Sequence, residues 1–132
     1  EQALERMAQS DKVIGTGQRP LEYHDRLFLT INSAVRFLKI NQIISINAAG
    51  DYSEVLLKGE KKGLVHKSMN EWESRLPEQF FCRIHRSTII NMEYVDRLEE
   101  WFNYSYRVYM SGVEQPFIMS RRYVNRLKEK LG

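Results

Sequence analysis

The sequence predicts a mainly β fold, in which stacked antiparallel sheets are accompanied by one short internal helix and a C-terminal helix. Short apolar segments rich in β-branched and aromatic residues recur at close spacing from Leu27 onward, and turn-forming residues separate them. Only two segments carry the start and stop signals of a helix. Strands do not alternate with helices, as they would in a parallel sheet. The pattern therefore favours antiparallel pairing.

The strand segments are delimited by their turns. Asn32-Ser33 separates the apolar segments 27–31 and 35–40 and predicts a hairpin. GEKKG (59–63) predicts a tight turn, and Ser111-Gly112 predicts another. The other predicted strands are 43–48, 52–58, 64–67, 95–102, 106–110 and 116–119. With the extended stretch that is expected after Pro77, the total is about seven to nine strands.

The internal helix is predicted at 69–76. Ser68 and Glu71 have the spacing of a capping box, in which the serine hydroxyl accepts from the Glu71 amide and the Glu71 carboxylate accepts from the Ser68 amide. Pro77 cannot continue the helix and ends it. The side chains predicted to face a core are Met69, Trp72 and Leu76.

Composition favours a single globular domain. The chain has 132 residues, of which 42% are hydrophobic, enough for one working core. No apolar run approaches the roughly 18 residues of a membrane span, and the single cysteine, Cys82, cannot form an internal disulfide. We therefore expect a cytoplasmic location, no membrane segment and no cofactor. Residues 1–20 contain linker residues and are expected to connect residues 21–132 to an upstream domain.

Basic residues are clustered, although the formal net charge is only +3. Ser120 is expected to be the N-cap of the C-terminal helix, so that Arg121 and Arg122 fall in its first turn. Cations there cost roughly 0.3–1 kcal/mol each at an exposed site, whereas a bound anion would reverse the sign. The two arginines either pair with surface carboxylates or bind an anion. The apolar face of this helix is predicted to consist of Val124, Leu127 and Leu131.

The stretch FFCRIHRSTIIN (80–91) places three potential cations inside one of the most apolar parts of the chain. If Ser87 begins a turn, Arg86 lies at the end of a strand and its side chain is exposed. The apolar neighbours then fix the backbone on both sides of it, as a rigid scaffold does for a loop residue that binds a partner.

The other polar residues of this stretch have structural interpretations. Arg83 could form a buried ion pair with one of the acids at 93–100, and Asn91 could cap the turn 92–94. His85 fits a hydrogen-bonded packing residue better than a catalytic base.

Other classes of function fit the sequence less well. His85, Ser87 and Asp96 could be assembled into a triad, but the sequence has no nucleophile elbow and no oxyanion loop. His24, His66 and His85 lack the spacing of metal ligands. The sequence therefore predicts neither an enzyme nor a metal site. An interaction module is the main alternative, with a partner surface formed by exposed aromatic residues: Trp101, Phe102, Tyr104 and Tyr106.

Four segments carry motifs in a fixed order. They are IISINAAGDYSEVLL (43–57), HKSMNEWESRLPEQF (66–80), FFCRIHRSTIINMEYVDRL (80–98) and PFIMSRRYVNRLKEKL (116–131). The third is similar to the pattern F-x-R-x-H-R-S-x-[IV]-[VI]-N-x-x-x-[IV] of the LytTR family of DNA-binding domains. The other three resemble further segments of the same family, and the resemblance covers about residues 27–131.

The resemblance implies that the domain binds DNA through loops on one side rather than through a recognition helix. The implied base and phosphate contacts are Asp51, Tyr52 and Ser53 in one loop, His85 and Arg86 in a second, and Arg121 and Arg122 in a third. Arginine suits base contacts because its planar guanidinium can donate to O6 and N7 of guanine together. The expected phosphate contacts are Lys61, Lys62, Lys67 and Arg126.

We therefore expect sequence-specific binding of double-stranded DNA by a bacterial transcription regulator, as the output domain of a two-component response regulator. The resemblance also implies an upstream receiver or sensor domain and homodimers on paired DNA sites. The alternative is a β-rich interaction or dimerisation module that does not bind DNA.

Overall fold

The computed structural model describes residues 19–59 and 61–131, and the expected linker at 1–20 therefore lies almost entirely outside the described residues. Ten strands form three antiparallel sheets in the described part, and two α-helices pack on them. The strands are β1 (Arg26–Ile31), β2 (Ala34–Lys39), β3 (Ile43–Ala49), β4 (Tyr52–Leu57), β5 (Lys61–Val65), β6 (Phe81–His85), β7 (Thr88–Asn91), β8 (Val95–Glu100), β9 (Tyr106–Met110) and β10 (Phe117–Met119). The helices are α1 (Met69–Arg75) and α2 (Val124–Leu131). The predicted fold class is confirmed.

The central sheet has the strand order β5-β4-β3-β7-β6 and is buried on both faces. Successive side chains of a strand point to opposite faces, so neighbours such as Ile89 and Ile90 enter different cores. One core lies under the β1–β2 hairpin and α1, around the fully buried Trp72. The other lies under the sheet β8–β10 and α2. The result is a stack of three layers.

The β1–β2 hairpin closes as predicted at Asn32 and Ser33, whose φ angles of 50° and 69° fit a type I′ turn. The predicted turn at 59–63 is too long, because Lys61 and Lys62 already pair with β4. Gly63 also belongs to β5, where a Cβ would lie 2.2 Å from a methyl group of Ile31. Close packing of the hairpin against β5 therefore requires glycine inside this strand.

Helix α1 begins at the predicted capping box. The Glu71 amide donates to the Ser68 hydroxyl, and the Ser68 amide donates to the Glu71 carboxylate. The helix ends at Arg75, before Leu76 and Pro77. The predicted core-facing residues Met69, Trp72 and Leu76 are all buried.

The stretch 80–91 folds as a hairpin rather than as a single strand. β6 and β7 pair with each other, and Arg86 and Ser87 form the turn between them. This extra division explains why ten strands are present where about seven to nine were predicted. Asn91 caps the turn 92–94 as expected, since its side-chain oxygen accepts from the Glu93 amide at 3.0 Å.

The start of the C-terminal helix differs from the prediction. Residues 121–123 form a 3₁₀ turn, the α-helix begins at Val124, and the Ser120 hydroxyl makes no capping hydrogen bond. Arg121 and Arg122 therefore precede the α-helix instead of occupying its first turn. Val124 and Leu127 are buried as predicted, and the side chain of Leu131 lies outside the described part.

Candidate nucleic-acid interface

Two turns lie side by side at one end of the central sheet. β3 leads into the turn Gly50-Asp51, and the neighbouring turn Arg86-Ser87 joins β6 to β7. The backbone amide of Ala48 donates to the carbonyl of Ser87 at 2.9 Å and ties the two turns together. We call this the turn end of the sheet, defined by residues 50–51 and 86–87.

A third segment reaches the turn end from the other layer. The Ser120 amide donates to the carbonyl of Ile84 at 3.0 Å, which brings Arg121 next to the last residues of β6. Val124 and Leu127 hold α2 in the core immediately after this contact. Residues from three distant parts of the sequence are therefore joined by backbone hydrogen bonds near Arg86.

The three arginines at this end have no carboxylate partner among the described residues. Arg86, Arg121 and Arg122 are exposed, and none of them forms an ion pair with the residues that the structure describes. These three exposed arginines lie on segments that adjoin at this end and outnumber the carboxylate of Asp51, so the surface favours an anionic partner. The sequence left two interpretations open for Arg121 and Arg122, and pairing with surface carboxylates is not observed for residues 19–59 and 61–131.

Asp51 and Tyr52 are exposed at and directly after the Gly50-Asp51 turn, which is compatible with their expected contact with DNA. The Tyr52 ring lies 5.0 Å from the ring of His66, centroid to centroid, and 48% of this residue is accessible. Asp51 is the acidic residue of this turn. A carboxylate in a positive surface can accept from the amino group of cytosine, so it is compatible with base contact.

Ser53 does not lie at the surface, and its expected contact with DNA is corrected. The residue is fully buried, because alternation along β4 turns it inward after the exposed Tyr52. Its hydroxyl accepts from the indole Nε1 of Trp72 at 2.7 Å and donates to the Val65 carbonyl at 3.3 Å. Ser53 therefore stabilises the packing of α1 on the sheet.

The structure places the expected phosphate contacts Lys62 and Lys67 at opposite ends of β5. Lys62 pairs with Leu56, about 13 Å along β4 from Tyr52, and so lies away from the turn end. Lys67 follows β5 at the turn end, but its side chain is only 14% exposed and lies over the Trp72 ring. Burial is the main cause that lowers the pKa of Lys67 below its usual value.

Arg126 is already paired, unlike the arginines at the turn end. Its Nη1 lies 3.1 Å from Oε2 of Glu73 on α1. Its guanidinium also lies 5.4 Å from the ring centroid of Tyr123, while Arg122 approaches the same ring at 5.7 Å. Arg126 can approach DNA only as part of this cluster.

His85 and Arg83 support the Arg86 turn from inside. Nδ1 of His85 accepts from the Ser87 amide at 3.2 Å, which agrees with its interpretation as a hydrogen-bonded packing residue. Arg83 forms an ion pair with Glu73 at 3.0 Å, so the expected partner among the acids at 93–100 is wrong. The sequence alone offered no signal for Glu73, because the contact depends on how α1 packs on the central sheet.

The aromatic residues considered as a partner surface have different environments. Tyr106 is half-buried, whereas Trp101, Phe102 and Tyr104 are exposed at the tip of the β8–β9 loop. The guanidinium carbon of Arg107 lies 3.4 Å from the ring centroid of Trp101. Three of these aromatic residues therefore form a loop tip, whereas Tyr106 packs partly into the fold.

The described residues contain no group of three His, Cys, Asp or Glu side chains arranged to hold a metal ion. The same residues contain no helix with the length and apolar character needed to cross a bilayer.

A family model described as the LytTr DNA-binding domain matches residues 33–132. The chain belongs to this family. The prediction of a LytTR domain is thereby confirmed. The chain is a DNA-binding domain of the kind found in transcription regulators. The alternative of an interaction module without DNA binding receives no support from these comparisons.

Named relatives agree with the family assignment. The chain is 28% identical over 114 residues to the sensory transduction protein LytR of Staphylococcus haemolyticus, covering 86% of this chain and 40% of the relative. It is 29% identical over 111 residues to the transcriptional regulatory protein LytR of Staphylococcus aureus, covering 83% of this chain and 44% of the relative. The chain thus spans less than half the length of these relatives.

A solved LytTr DNA-binding domain from Bacillus cereus has the same fold. Its TM-score to this structure is 0.72 at 21% sequence identity, and the match covers 81% of this chain and 96% of the solved chain. The three-layer arrangement is therefore that of an experimentally determined LytTR domain.

Proposed function

We propose that this domain binds double-stranded DNA sequence-specifically and serves as the output domain of a bacterial two-component response regulator. The observation that carries the proposal is that Arg86, Arg121 and Arg122 are exposed on segments joined by a backbone hydrogen bond, and that none of them forms an ion pair with the described residues. Membership of a DNA-binding family supports the choice of DNA as the anion.

In this proposal the exposed turn residues contact base edges. Arg86, Arg121 and Arg122 donate to guanine or to nearby phosphates, and Asp51 and Tyr52 contact the neighbouring positions. Lys67 and Arg126 flank this surface and contact phosphates, with His85 supporting the turn. The proposal leaves out Ser53, which is buried, and Lys62, which lies towards the other end of β4.

The proposal extends to the protein around the domain. It includes an upstream receiver or sensor domain, which agrees with relatives that are more than twice as long as the matched segment and include a sensory transduction protein. It also includes homodimers on paired DNA sites, which remain a prediction from the family resemblance. A regulator of this kind acts in the cytoplasm, where its DNA lies. The proposal includes no catalytic step.

The test is the removal of single guanidinium groups. Arg86→Ala and Arg122→Ala are each expected to weaken binding to the preferred duplex by about 1–3 kcal/mol, because a bidentate contact with a base is lost. The preferred duplex is obtained by enrichment from a randomised pool with the unmodified domain. Binding is then measured by fluorescence anisotropy on this duplex and on a random one, at several salt concentrations.

Arg97→Ala is the matched control, because it also removes one exposed arginine. Its guanidinium is already paired with Asp96 at 2.8 Å and Glu99 at 3.0 Å on β8. This variant is expected to bind both duplexes as the unmodified domain does. Equal losses on preferred and random duplex for Arg86→Ala and Arg122→Ala would contradict a role in base contact.

A further inference from the structure

The Arg83 guanidinium fastens the turn that presents Arg86. Its Nε donates to the carbonyl of His85 at 3.3 Å, and one Nη donates to the carbonyl of Arg86 itself. The other Nη donates to Glu73 Oε1 at 3.0 Å and to Asn70 Oδ1 at 2.8 Å. Four acceptors therefore share the five N–H groups of one side chain.

Arg83 itself is not presented to a partner. Only 12% of its side chain is exposed, and its hydrogen bonds point inward to α1 and to the turn backbone. The pairing register between β6 and β7 shifts between Arg83 and His85, which marks a bulge at the same position. A bulge bends its strand, and here the bent strand continues through His85 into the turn that carries Arg86.

Glu73 connects this turn to the other half of the interface. One carboxylate oxygen contacts Arg83, and the other lies 3.1 Å from Arg126 on α2. α2 follows directly after Arg121 and Arg122. A single side chain of α1 thus holds both the Arg86 turn and the segment that carries the other two arginines.

We propose that Arg83 and Glu73 are positioning residues that set the direction of the Arg86 side chain and thereby determine base preference. The inference rests on the proposed function and deepens it. Neither residue contacts DNA. Their effect comes from preorganisation, since a base contact needs the guanidinium within roughly 0.5 Å of its productive position. A loosened turn would keep the positive charge of Arg86 but lose its fixed geometry.

Arg83→Gln and Glu73→Ala test this inference. Both variants are expected to broaden the base preference at the position that Arg86→Ala also broadens, with a loss of about 5- to 150-fold on the preferred duplex. The salt slope is expected to stay unchanged, because no phosphate contact is removed. The measurement is enrichment from a randomised duplex pool, followed by titration, at a temperature where thermal unfolding shows every variant to be folded.

Glu78→Ala is the matched control for Glu73→Ala. Glu78 is exposed close to the same helix, and its carboxylate forms no ion pair with the described residues. It is expected to leave base preference unchanged. If Arg83→Gln fails to fold, Glu73→Ala still tests the positioning role, because it leaves the Arg83 side chain and its other acceptors in place.

A double-mutant comparison separates positioning from direct contact. When Arg86 is already alanine, Arg83→Gln is expected to cause no further loss of preference, since it acts through Arg86. An additive loss would overturn the inference.

Arg83→Lys is expected to lose base preference as Arg83→Gln does, because one ammonium group cannot reach all four acceptors. Full retention of base preference by Arg83→Lys would contradict this account.

The two proposals fail in different ways. If Arg86→Ala leaves base preference unchanged, the proposed function of Arg86 is wrong. If Arg86→Ala removes the preference while folded Arg83→Gln and Glu73→Ala retain it, only the positioning inference is wrong.

Discussion

The two ends of the central sheet use polar side chains in opposite ways. At the turn end, the Arg86 side chain is exposed and unpaired within the described residues. At the other end, which we call the closed end, Asn91 is fully buried. Its amide nitrogen donates to the Ile43 carbonyl at 2.9 Å and to the Tyr23 hydroxyl at 3.0 Å. Its oxygen accepts from the backbone of the following turn.

The difference shows where stability and binding are located in one sheet. Polar groups at the closed end complete their hydrogen bonds inside the protein and therefore contribute to folding. Arg86 at the turn end contributes nothing comparable to the fold and is available to a partner. Substitutions at the two ends should consequently change different measured quantities, which makes the comparison testable.

The largest expected effect is at the closed end. Asn91→Ala should lower the free energy of unfolding by about 2–3 kcal/mol, because the buried Ile43 carbonyl loses its partner. Denaturant titration measures this change, with Asn125→Ala as the control because Asn125 is exposed on α2. The DNA affinity of the folded Asn91→Ala domain should not change. A specific loss of affinity would show that the two ends are coupled.

Ser68 lies near the turn end but completes its hydrogen bonds within the protein, so it tests whether position alone determines a contribution to DNA binding. Ser68 follows β5 at this end, but its hydroxyl and amide are both engaged in the capping box. Ser68→Ala should cost about 1 kcal/mol of stability and no DNA affinity. Thermal and denaturant unfolding measure the first quantity, and anisotropy measures the second. If Ser68→Ala lowered only the DNA affinity, a polar residue near the turn end would contribute to binding even though its hydrogen bonds are completed inside the protein.

The smallest effect is expected for an unpaired cation away from the turn end. Lys62 is exposed on β5 and forms no ion pair with the described residues, yet it lies about 13 Å along the sheet from Tyr52. Lys62→Ala should leave both stability and the salt slope of binding unchanged. A decrease of the slope by about one unit would place a phosphate at this site and extend the interface beyond the turn end.

Local signals predicted the features that depend on neighbours in sequence. The Ser68–Glu71 capping box, the Asn32-Ser33 hairpin and the cap at Asn91 were all found as expected. Exposure of Arg86 was also predicted, because the apolar residues around it and the following Ser87 already indicate a turn. Each of these predictions needs only a few consecutive residues.

Features that depend on register and on layer packing were not predicted correctly. Ser53 was expected in the interface from the family resemblance, but its hydroxyl accepts a hydrogen bond from Trp72, which is 19 residues away. The Arg83–Glu73 ion pair depends on how α1 packs on the central sheet. The position of Lys62 depends on where β5 starts, and this strand starts at Lys61, three residues before the predicted start at 64.

The hydrogen bond from Ala48 to Ser87 has a consequence for how a DNA site would be described. It links the end of β3, which leads into the Asp51 turn, to the Arg86 turn, so we expect a displacement of one turn to move the other. Under the proposed function, the preferences at the adjoining base pairs are then correlated. A motif that scores each position separately would misjudge doubly altered operators.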